Sequence, residues 1–180
     1  MTGRFIAVVG PSGVGKDSVM AAMAARDPRL VLARRVITRP DDAGGEDFEG
    51  VTPEAFKAQA AEGAFVLHWT AHGMHYAIPQ QVLAQLQNGQ DVLANLSRAA
   101  LLRAQDRFAR FEVINLTTDP QILAARLLAR GRESTDEIAG RLARASFALP
   151  DGIVAHDIDN SGPLAQTVQA ALDRLYPVSV

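Results

Sequence analysis

The residues with the clearest chemical meaning form a glycine-rich run near the start of the chain, from Gly10 to Lys16. Two glycines separated by four residues and followed by a lysine are the pattern of a phosphate-binding loop. In such a loop the backbone N–H groups surround phosphate oxygens, and the following helix adds the positive end of its dipole. Lys16 would then reach the terminal phosphates. A glycine-rich turn with a solvated lysine is the alternative interpretation.

The sequence around this loop predicts the strand and the helix that the loop requires. Residues Phe5–Val9 are continuously apolar and rich in β-branched side chains, as in a strand that is buried on both faces. Residues Asp17–Arg26 are strong helix formers and end shortly before Pro28. A strand, a glycine loop and a helix in this order favour phosphate binding over a plain surface turn.

The rest of the chain alternates between strand and helix patterns, which predicts an α/β fold with helices on both faces of a parallel sheet. Further core strands are expected from Leu30 toward Thr38 and at 91–96, 111–116 and 153–155. Helices are expected to start at Pro53, Pro120, 134–137 and Pro163, the first two after the N-caps Thr52 and Asp119.

The segment from 34 to 88 has a different character and is a candidate insert. Residues 41–50 are acidic and glycine-rich, which predicts a loop, and residues 64–69 and 75–78 predict an antiparallel pair that turns at His72 and Gly73. The 180 residues are therefore expected to form one domain, with a core of 1–33 and 89–180.

The bulk composition fits such a domain and excludes several classes of function. The chain holds 48% hydrophobic and 21% charged residues, which is ordinary for a globular protein. Its net charge of −2 gives no general attraction to nucleic acid or to an anionic membrane, so neither partner is expected. With no cysteine, disulfides, thiolate catalysis and cysteine-bound metals are excluded. The lack of a long apolar run and of a signal peptide predicts a cytoplasmic protein.

Five arginines lie on either side of a glycine-bearing turn: Arg126, Arg130, Arg132, Arg141 and Arg144. The first two are four residues apart and the last two are three apart, so each pair shares a helix face. Two such helices, at about 126–147, are expected to form a lid that closes over phosphates. A solvated helix pair balanced by nearby acidic residues is the alternative.

The histidines carry less information. His68, His72 and His75 cluster on the predicted hairpin, where a metal site and an ordinary polar surface both stay open as interpretations. His156 follows a predicted strand and lies near Asn160, which makes it a candidate for the rim of a nucleotide-base site.

These motifs resemble those of the guanylate kinase family of nucleoside monophosphate kinases over nearly the whole chain. The resemblance is carried by the glycine loop, by Thr38–Pro40, by Glu62–Phe65 with Tyr76, and by 126–131 with Arg141. It implies the fold of a P-loop kinase, a three-layer α/β/α parallel sheet with an acceptor-binding insert and a helical lid.

The departures from that family concern its acceptor. Positions that read the guanine base hold Leu67 and Ile78, which cannot hydrogen-bond a base through their side chains. Ser97 stands where the family has an acceptor aspartate, and Asp42 where it has a second acceptor arginine. Arg35 and Arg98 are additional cations, so base recognition is lost while the phosphate-binding cations are rearranged.

With these changes the chain resembles the ribose 1,5-bisphosphate phosphokinases, relatives of guanylate kinases that act in bacterial phosphonate degradation. This resemblance implies transfer of the γ-phosphoryl group of ATP to the 1-phosphate of ribose 1,5-bisphosphate, which gives phosphoribosyl diphosphate and ADP. An acceptor with two phosphates and no base fits the lost base readers and the additional arginines. The alternatives are a divergent guanylate kinase and a non-catalytic guanylate-kinase-like binding module. The oligomeric state stays open, with a homodimer as one option.

Roles for individual residues follow from this resemblance and from the chemistry of the side chains. The phosphates of ATP are expected at Gly10, Pro11, Ser12, Gly13, Val14, Gly15, Lys16, Asp17 and Ser18. Mg²⁺ is expected to be positioned by Asp17 or Ser18, where a Ser or Thr hydroxyl is usual. The sugar phosphate is expected at Arg35, Arg39, Tyr76, Ser97 and Arg98. Charge in the transition state is expected to be neutralised by Lys16, Arg130 and Arg141.

Overall fold

The computed structural model describes residues 1–40, 46–131, 134–145 and 148–177 of the chain. Its strands are β1 (Phe5–Val9), β2 (Leu30–Leu32), β3 (Arg35–Ile37), β4 (Phe48–Gly50), β5 (Phe65–Ala71), β6 (Met74–Pro79), β7 (Asp91–Asn95), β8 (Phe111–Thr117) and β9 (His156–Asp159). Its helices are α1 (Lys16–Arg26), α2 (Pro53–Ala61), α3 (Val82–Gln87), α4 (Leu101–Arg107), α5 (Pro120–Arg130), α6 (Thr135–Ala145) and α7 (Leu164–Leu175), with a short 3-10 turn at Arg98–Ala100.

The main sheet has five parallel strands in the order β2-β7-β1-β8-β9. Side chains of β1 alternate between two apolar clusters, with Phe5 and Ala7 in one and Ile6 and Val8 in the other. The first cluster includes residues of α3 and α4, and the second includes residues of α1 and α7. The predicted three-layer α/β arrangement is therefore confirmed, and the central strand leads directly into the glycine loop.

A second sheet has the strand order β4-β3-β6-β5. Strands β5 and β6 form the predicted antiparallel hairpin, which turns through positive φ angles of 51° at His72 and 73° at Gly73. Helix α2 begins as predicted, because the Thr52 Oγ1 accepts the backbone N–H of Ala55 at 3.1 Å. Phe56 of this helix packs against the sheet.

Two predicted segments in this region are wrong in their bounds. The single strand expected from Leu30 toward Thr38 is split between the sheets, since the Ala33 N–H still bonds to the Leu93 carbonyl while Arg35 already pairs with Phe48. The loop expected over 41–50 ends earlier, because Phe48 is buried and Phe48–Gly50 forms β4. Residues 41–45 lie outside the described part of the chain.

The last strand is also displaced from its prediction. It begins at His156 instead of Ile153, and Val154 is 87% exposed. Ile158 is the only buried apolar residue of β9. Because the residues on either side of it are polar, β9 lacks the apolar pattern from which strands are predicted.

The helix pair predicted near 126–147 is present as α5 and α6. Helix α5 ends at Gly131 in the left-handed region, and the two helices pack through Leu123, Leu127 and Ile138. Arg132 lies outside the described residues. In the part of the chain that the structure describes, no helix has the length and apolarity needed to cross a bilayer.

Candidate active site

A cleft of about 460 Å³ brings together most of the predicted site residues. The phosphate loop and the start of α1 contribute Gly10, Ser12, Gly13, Gly15, Lys16, Asp17 and Ser18. The second sheet and its connections contribute Arg35, Arg39, Glu46, Trp69, Ala71, His72 and Tyr76. The end of β7 contributes Asn95, Leu96 and Ser97, and α5 contributes Arg130. A single cleft thus joins the phosphate loop to two of the three arginines predicted for the acceptor, Arg35 and Arg39.

The loop depends on glycine where it turns into α1. Gly15 has a φ of 100°, and a Cβ atom there would lie 2.8 Å from the Asn160 Nδ2. Because glycine at the N-cap has no side chain to cap the helix, the first N–H groups of α1 are available for phosphate oxygens. The conformation therefore has the features that the motif requires for binding an anion.

Side chains from two other elements hold the outer side of the loop. The Asn160 Nδ2 donates to the Val14 carbonyl at 2.8 Å, and the Thr167 hydroxyl donates to the Asn160 Oδ1 at 2.7 Å. Arg126 donates to the carbonyls of Val14 at 3.2 Å and Asn160 at 2.7 Å. The Arg126 guanidinium therefore supports the loop and is not among the residues that line the cleft, and its place in a lid stays a prediction.

The Lys16 side chain bonds to backbone carbonyls of the phosphate loop. Its Nζ donates to the carbonyls of Gly10 at 2.8 Å and Pro11 at 3.2 Å. Burial lowers the pKa of Lys16 to about 8; Asp17 opposes this effect, and the charge of Arg35 adds to it. An anion that binds beside this amine would stabilise its charged form, because the anion would replace the solvation that burial removed.

Arg35 lies in the cleft but already has a partner. Its side chain is 8% exposed, its guanidinium forms a two-pronged ion pair with Glu46, and it donates to the Asn95 carbonyl at 2.9 Å. The guanidinium also lies 5.1 Å from the ring centre of Tyr76, which stacks on Trp69. Burial raises the pKa of Tyr76, although the nearby charges of Arg35 and Arg39 oppose this effect.

The other residues predicted at the acceptor and in the lid differ in whether they line the cleft. The Arg39 guanidinium lies 4.2 Å from the ring centre of Phe48, which fixes it at the cleft. The Ser97 Oγ is buried and has no hydrogen-bond partner among the described residues, as expected of a group that meets a ligand. Arg98 does not line the cleft, but its charge contributes to the low pKa of Lys16. Arg141 lies in α6, and its side chain is outside what the structure describes.

The oxygen atoms near α1 fit a metal that is carried by phosphates. Asp17 and Ser18 line the cleft, and the Asn95 Nδ2 donates to the Asp17 Oδ1 at 3.2 Å. Within the described ranges, no group of three histidine or carboxylate side chains could hold a metal. Mg²⁺ bound to nucleotide phosphates needs only one or two protein oxygens, so Asp17 and Ser18 suffice for it.

His72 lines the cleft, and the other histidines have ordinary polar and aromatic surroundings. The rings of His68 and His75 lie 6.3 Å and 5.3 Å from the ring centre of Phe56, and the His75 Nδ1 bonds to the Thr70 hydroxyl at 3.0 Å. His156 begins β9 and lies 3.2 Å from Glu112, outside the cleft lining. The expectation that His156 follows a strand is wrong, because β9 begins there, and its place at a base-site rim stays a prediction.

Sequence reasoning gave no binding role to several residues that line the cleft, among them Glu46, Trp69 and Asn95. The acidic composition of residues 41–50 predicts only a loop around Glu46. The pattern of residues 64–69 predicts a strand, but it does not predict which face of the sheet carries Trp69. Asn95 carried a usable signal, because it ends a parallel strand at the edge where ligands of such sheets bind.

Comparison with known proteins gives the chain close relatives. No family model matches it. It is 52% identical over 170 residues to ribose 1,5-bisphosphate phosphokinase PhnN of Ruegeria sp. strain TM1040, covering 94% of this chain and 90% of that protein. It is 48% identical over 176 residues to PhnN of Azotobacter vinelandii, covering 96% and 95%. It also matches 27% of a bifunctional ribose 1,5-bisphosphokinase-thymidine phosphorylase of Cupriavidus necator, at 43% identity.

Solved structures support the same fold class. A guanylate kinase from Anaplasma phagocytophilum superposes with a TM-score of 0.66 at 18% identity, covering 97% of this chain and 85% of that one. A gluconokinase from Sinorhizobium meliloti superposes with a TM-score of 0.54 at 19% identity, covering 96% and 93%. At this identity the likeness concerns the fold alone, which is that of the P-loop kinases.

Proposed function

Because the chain belongs to the ribose 1,5-bisphosphate phosphokinase PhnN family, we propose that it phosphorylates the 1-phosphate of ribose 1,5-bisphosphate with ATP. An oxygen of that phosphate attacks the γ-phosphorus, the bond to the β-phosphate oxygen breaks, and phosphoribosyl diphosphate and ADP form. The attacking oxygen carries no proton that a base must remove. Catalysis then consists of positioning and of charge neutralisation.

The donor side of this proposal is the glycine loop. The N–H groups of Gly13, Gly15 and Lys16 surround the β- and γ-phosphates, with the α1 dipole behind them. As the phosphates enter, Lys16 exchanges its two backbone carbonyl contacts for phosphate oxygens. Its charge is then placed where negative charge spreads in the transition state.

Bound Mg²⁺ would neutralise charge on the phosphate oxygens. In our proposal Asp17 and Ser18 hold it, directly or through water. The Asn95 amide keeps the Asp17 carboxylate turned toward the cleft.

One observation carries the assignment of the acceptor. The cleft that begins at the loop continues to Arg39 and Ser97, yet the two positions where guanylate kinases read a base are buried apolar residues. Leu67 is 6% exposed and Ile78 is fully buried, opposite each other in the hairpin. Neither side chain is among the residues that line the cleft, so neither offers a base a polar contact. An acceptor with phosphates and without a base fits this arrangement better than GMP does.

We also propose the functions of the two peripheral segments. Residues 34–88 bind the acceptor, and the helices near 126–147 form a lid that brings Arg130 and Arg141 to the transferred group. The intact loop and its lysine argue against a mere binding module, which has no use for them. The place in phosphonate degradation and in the cytoplasm stays a prediction.

The test is an acceptor panel with purified protein, ATP and Mg²⁺. Product formation from ribose 1,5-bisphosphate and from GMP is followed by separation of the nucleotides and of phosphoribosyl diphosphate. We expect turnover of the sugar and none of GMP, and a Lys16→Met preparation controls for contaminating kinases. Turnover of GMP would refute the acceptor assignment, and activity with neither acceptor would favour the binding module.

A further inference from the structure

Glu46 is the unexpected carboxylate of the acceptor side. It lies two residues before β4, its side chain is 16% exposed, and it lines the same cleft as Lys16 and Tyr76. Both of its carboxylate oxygens are engaged by one guanidinium, that of Arg35. The carboxylate is therefore fixed in place at the site, and each of its oxygens retains a lone pair for another donor.

Arg35 is poorly suited to bind a phosphate in this arrangement. Its Nε and Nη2 face Glu46 and its Nη1 faces the Asn95 carbonyl. A phosphate that approached Arg35 would meet the carboxylate of Glu46 beside it, and like charges at close range repel. Arg35 therefore acts as a positioning residue, and the ring of Tyr76 at 5.1 Å limits its movement.

The sugar of the proposed acceptor needs what this carboxylate offers. Ribose 1,5-bisphosphate presents neutral hydroxyl groups at C2 and C3 besides its phosphates, and hydroxyl groups donate hydrogen bonds to carboxylates. Among the described lining residues the carboxylates are Asp17 and Glu46, and Asp17 lies at the phosphate loop. Resting on the function proposed above, we infer that Glu46, held by Arg35, accepts hydrogen bonds from the C2 and C3 hydroxyl groups and makes the enzyme select ribose.

Deoxy analogues of the acceptor test this inference directly. Values of kcat/KM are measured for ribose 1,5-bisphosphate and for its 2-deoxy and 3-deoxy analogues, with the wild type, Glu46→Gln and the control Glu49→Gln on the exposed side of β4. We expect the wild type to prefer ribose over at least one analogue by about tenfold or more. Glu46→Gln should lose most of that preference by slowing the ribose reaction, while Glu49→Gln should keep it.

The outcomes separate the inference from the function on which it rests. A wild type that turns over all three sugars equally refutes the inference and leaves the function intact. An equal loss with all three sugars in Glu46→Gln refutes it as well, since the glutamate would then act only through Arg35. Tighter binding of all three sugars by Glu46→Gln would show that Glu46 obstructs the acceptor site, and this result would also refute the inference. No wild-type turnover of ribose 1,5-bisphosphate refutes both the function and the inference.

Discussion

Replacing Lys16 by methionine should make the protein more stable and inactive at once. In Lys16→Met the side chain ends one atom earlier, and the partly buried positive charge is removed. The structure shows why that charge is unfavourable without substrate: burial lowers the pKa of Lys16 from 10.5 to about 8. A shift of this size corresponds to about 3 kcal/mol spent on keeping the amine charged in the folded state at neutral pH.

Part of this gain is offset by lost hydrogen bonds. The carbonyls of Gly10 and Pro11 lose the Nζ donor, which costs about 1 kcal/mol or less for each in a cleft that water reaches. The net expectation is a free energy of unfolding about 1–2 kcal/mol higher at pH 7. Because the folded pKa lies below the unfolded one, the charging penalty is complete below pH 8 and falls as the pH rises toward 10.5. The advantage of the variant should therefore shrink at pH 10.

Urea denaturation of wild type, Lys16→Met and the control Lys57→Met, at pH 7 and pH 10, measures this difference. Lys57 is exposed on α2, so its replacement should change the free energy of unfolding by less than about 0.5 kcal/mol and preserve turnover. Saturating ATP and Mg²⁺ should reverse the order, because only the wild type uses the amine to bind phosphates. If Lys16→Met is less stable than the wild type at pH 7 without ligand, burial of the Lys16 charge does not destabilise the protein, and the reasoning is refuted.

Two further substitutions test parts of the fold away from the reacting atoms. Asp91 is buried and accepts from Arg4 at 2.7 Å and from the Tyr176 hydroxyl at 2.6 Å; burial alone would raise its pKa, but these hydrogen bonds outweigh burial and lower it. Because Arg4 keeps its ion pair with Glu112, Asp91→Asn should cost about 1–3 kcal/mol at pH 7 in urea denaturation, and the difference from wild type should shrink below about pH 4. Asn160→Ala removes the donor to Val14 and should cost about 1–3 kcal/mol of stability. Its kcat/KM should fall more for ATP than for the acceptor, and an equal fall for both would contradict the role of Asn160 in supporting the loop.

The sequence predicted those features that local pattern determines. The apolar run before Gly10, the caps at Thr52 and Asp119 and the glycine after α5 have local causes, and the structure confirms them. The sequence pattern misplaced β9, because polar residues lie on either side of its single buried isoleucine. It missed β4, because Phe48 is buried only where this segment pairs with β3. The partners of Arg35 and Arg126 depend on side chains far away in the chain, so residue type and spacing do not reveal them.

In the proposed acceptor site, the departures from guanylate kinases are related to one another. Leu67 and Ile78 are paired across the hairpin and belong to the same apolar cluster as Phe5 and Val113 of the main sheet. A single polar base reader at either position would place an unsatisfied polar group in that core, at a cost that one residue cannot recover. Two residues from Ile78 on the same strand, Tyr76 lies beside the Arg35–Glu46 pair. In our proposal the apolar pair offers a base no polar partner and the ion pair supplies a carboxylate for a sugar, so both changes favour the same acceptor.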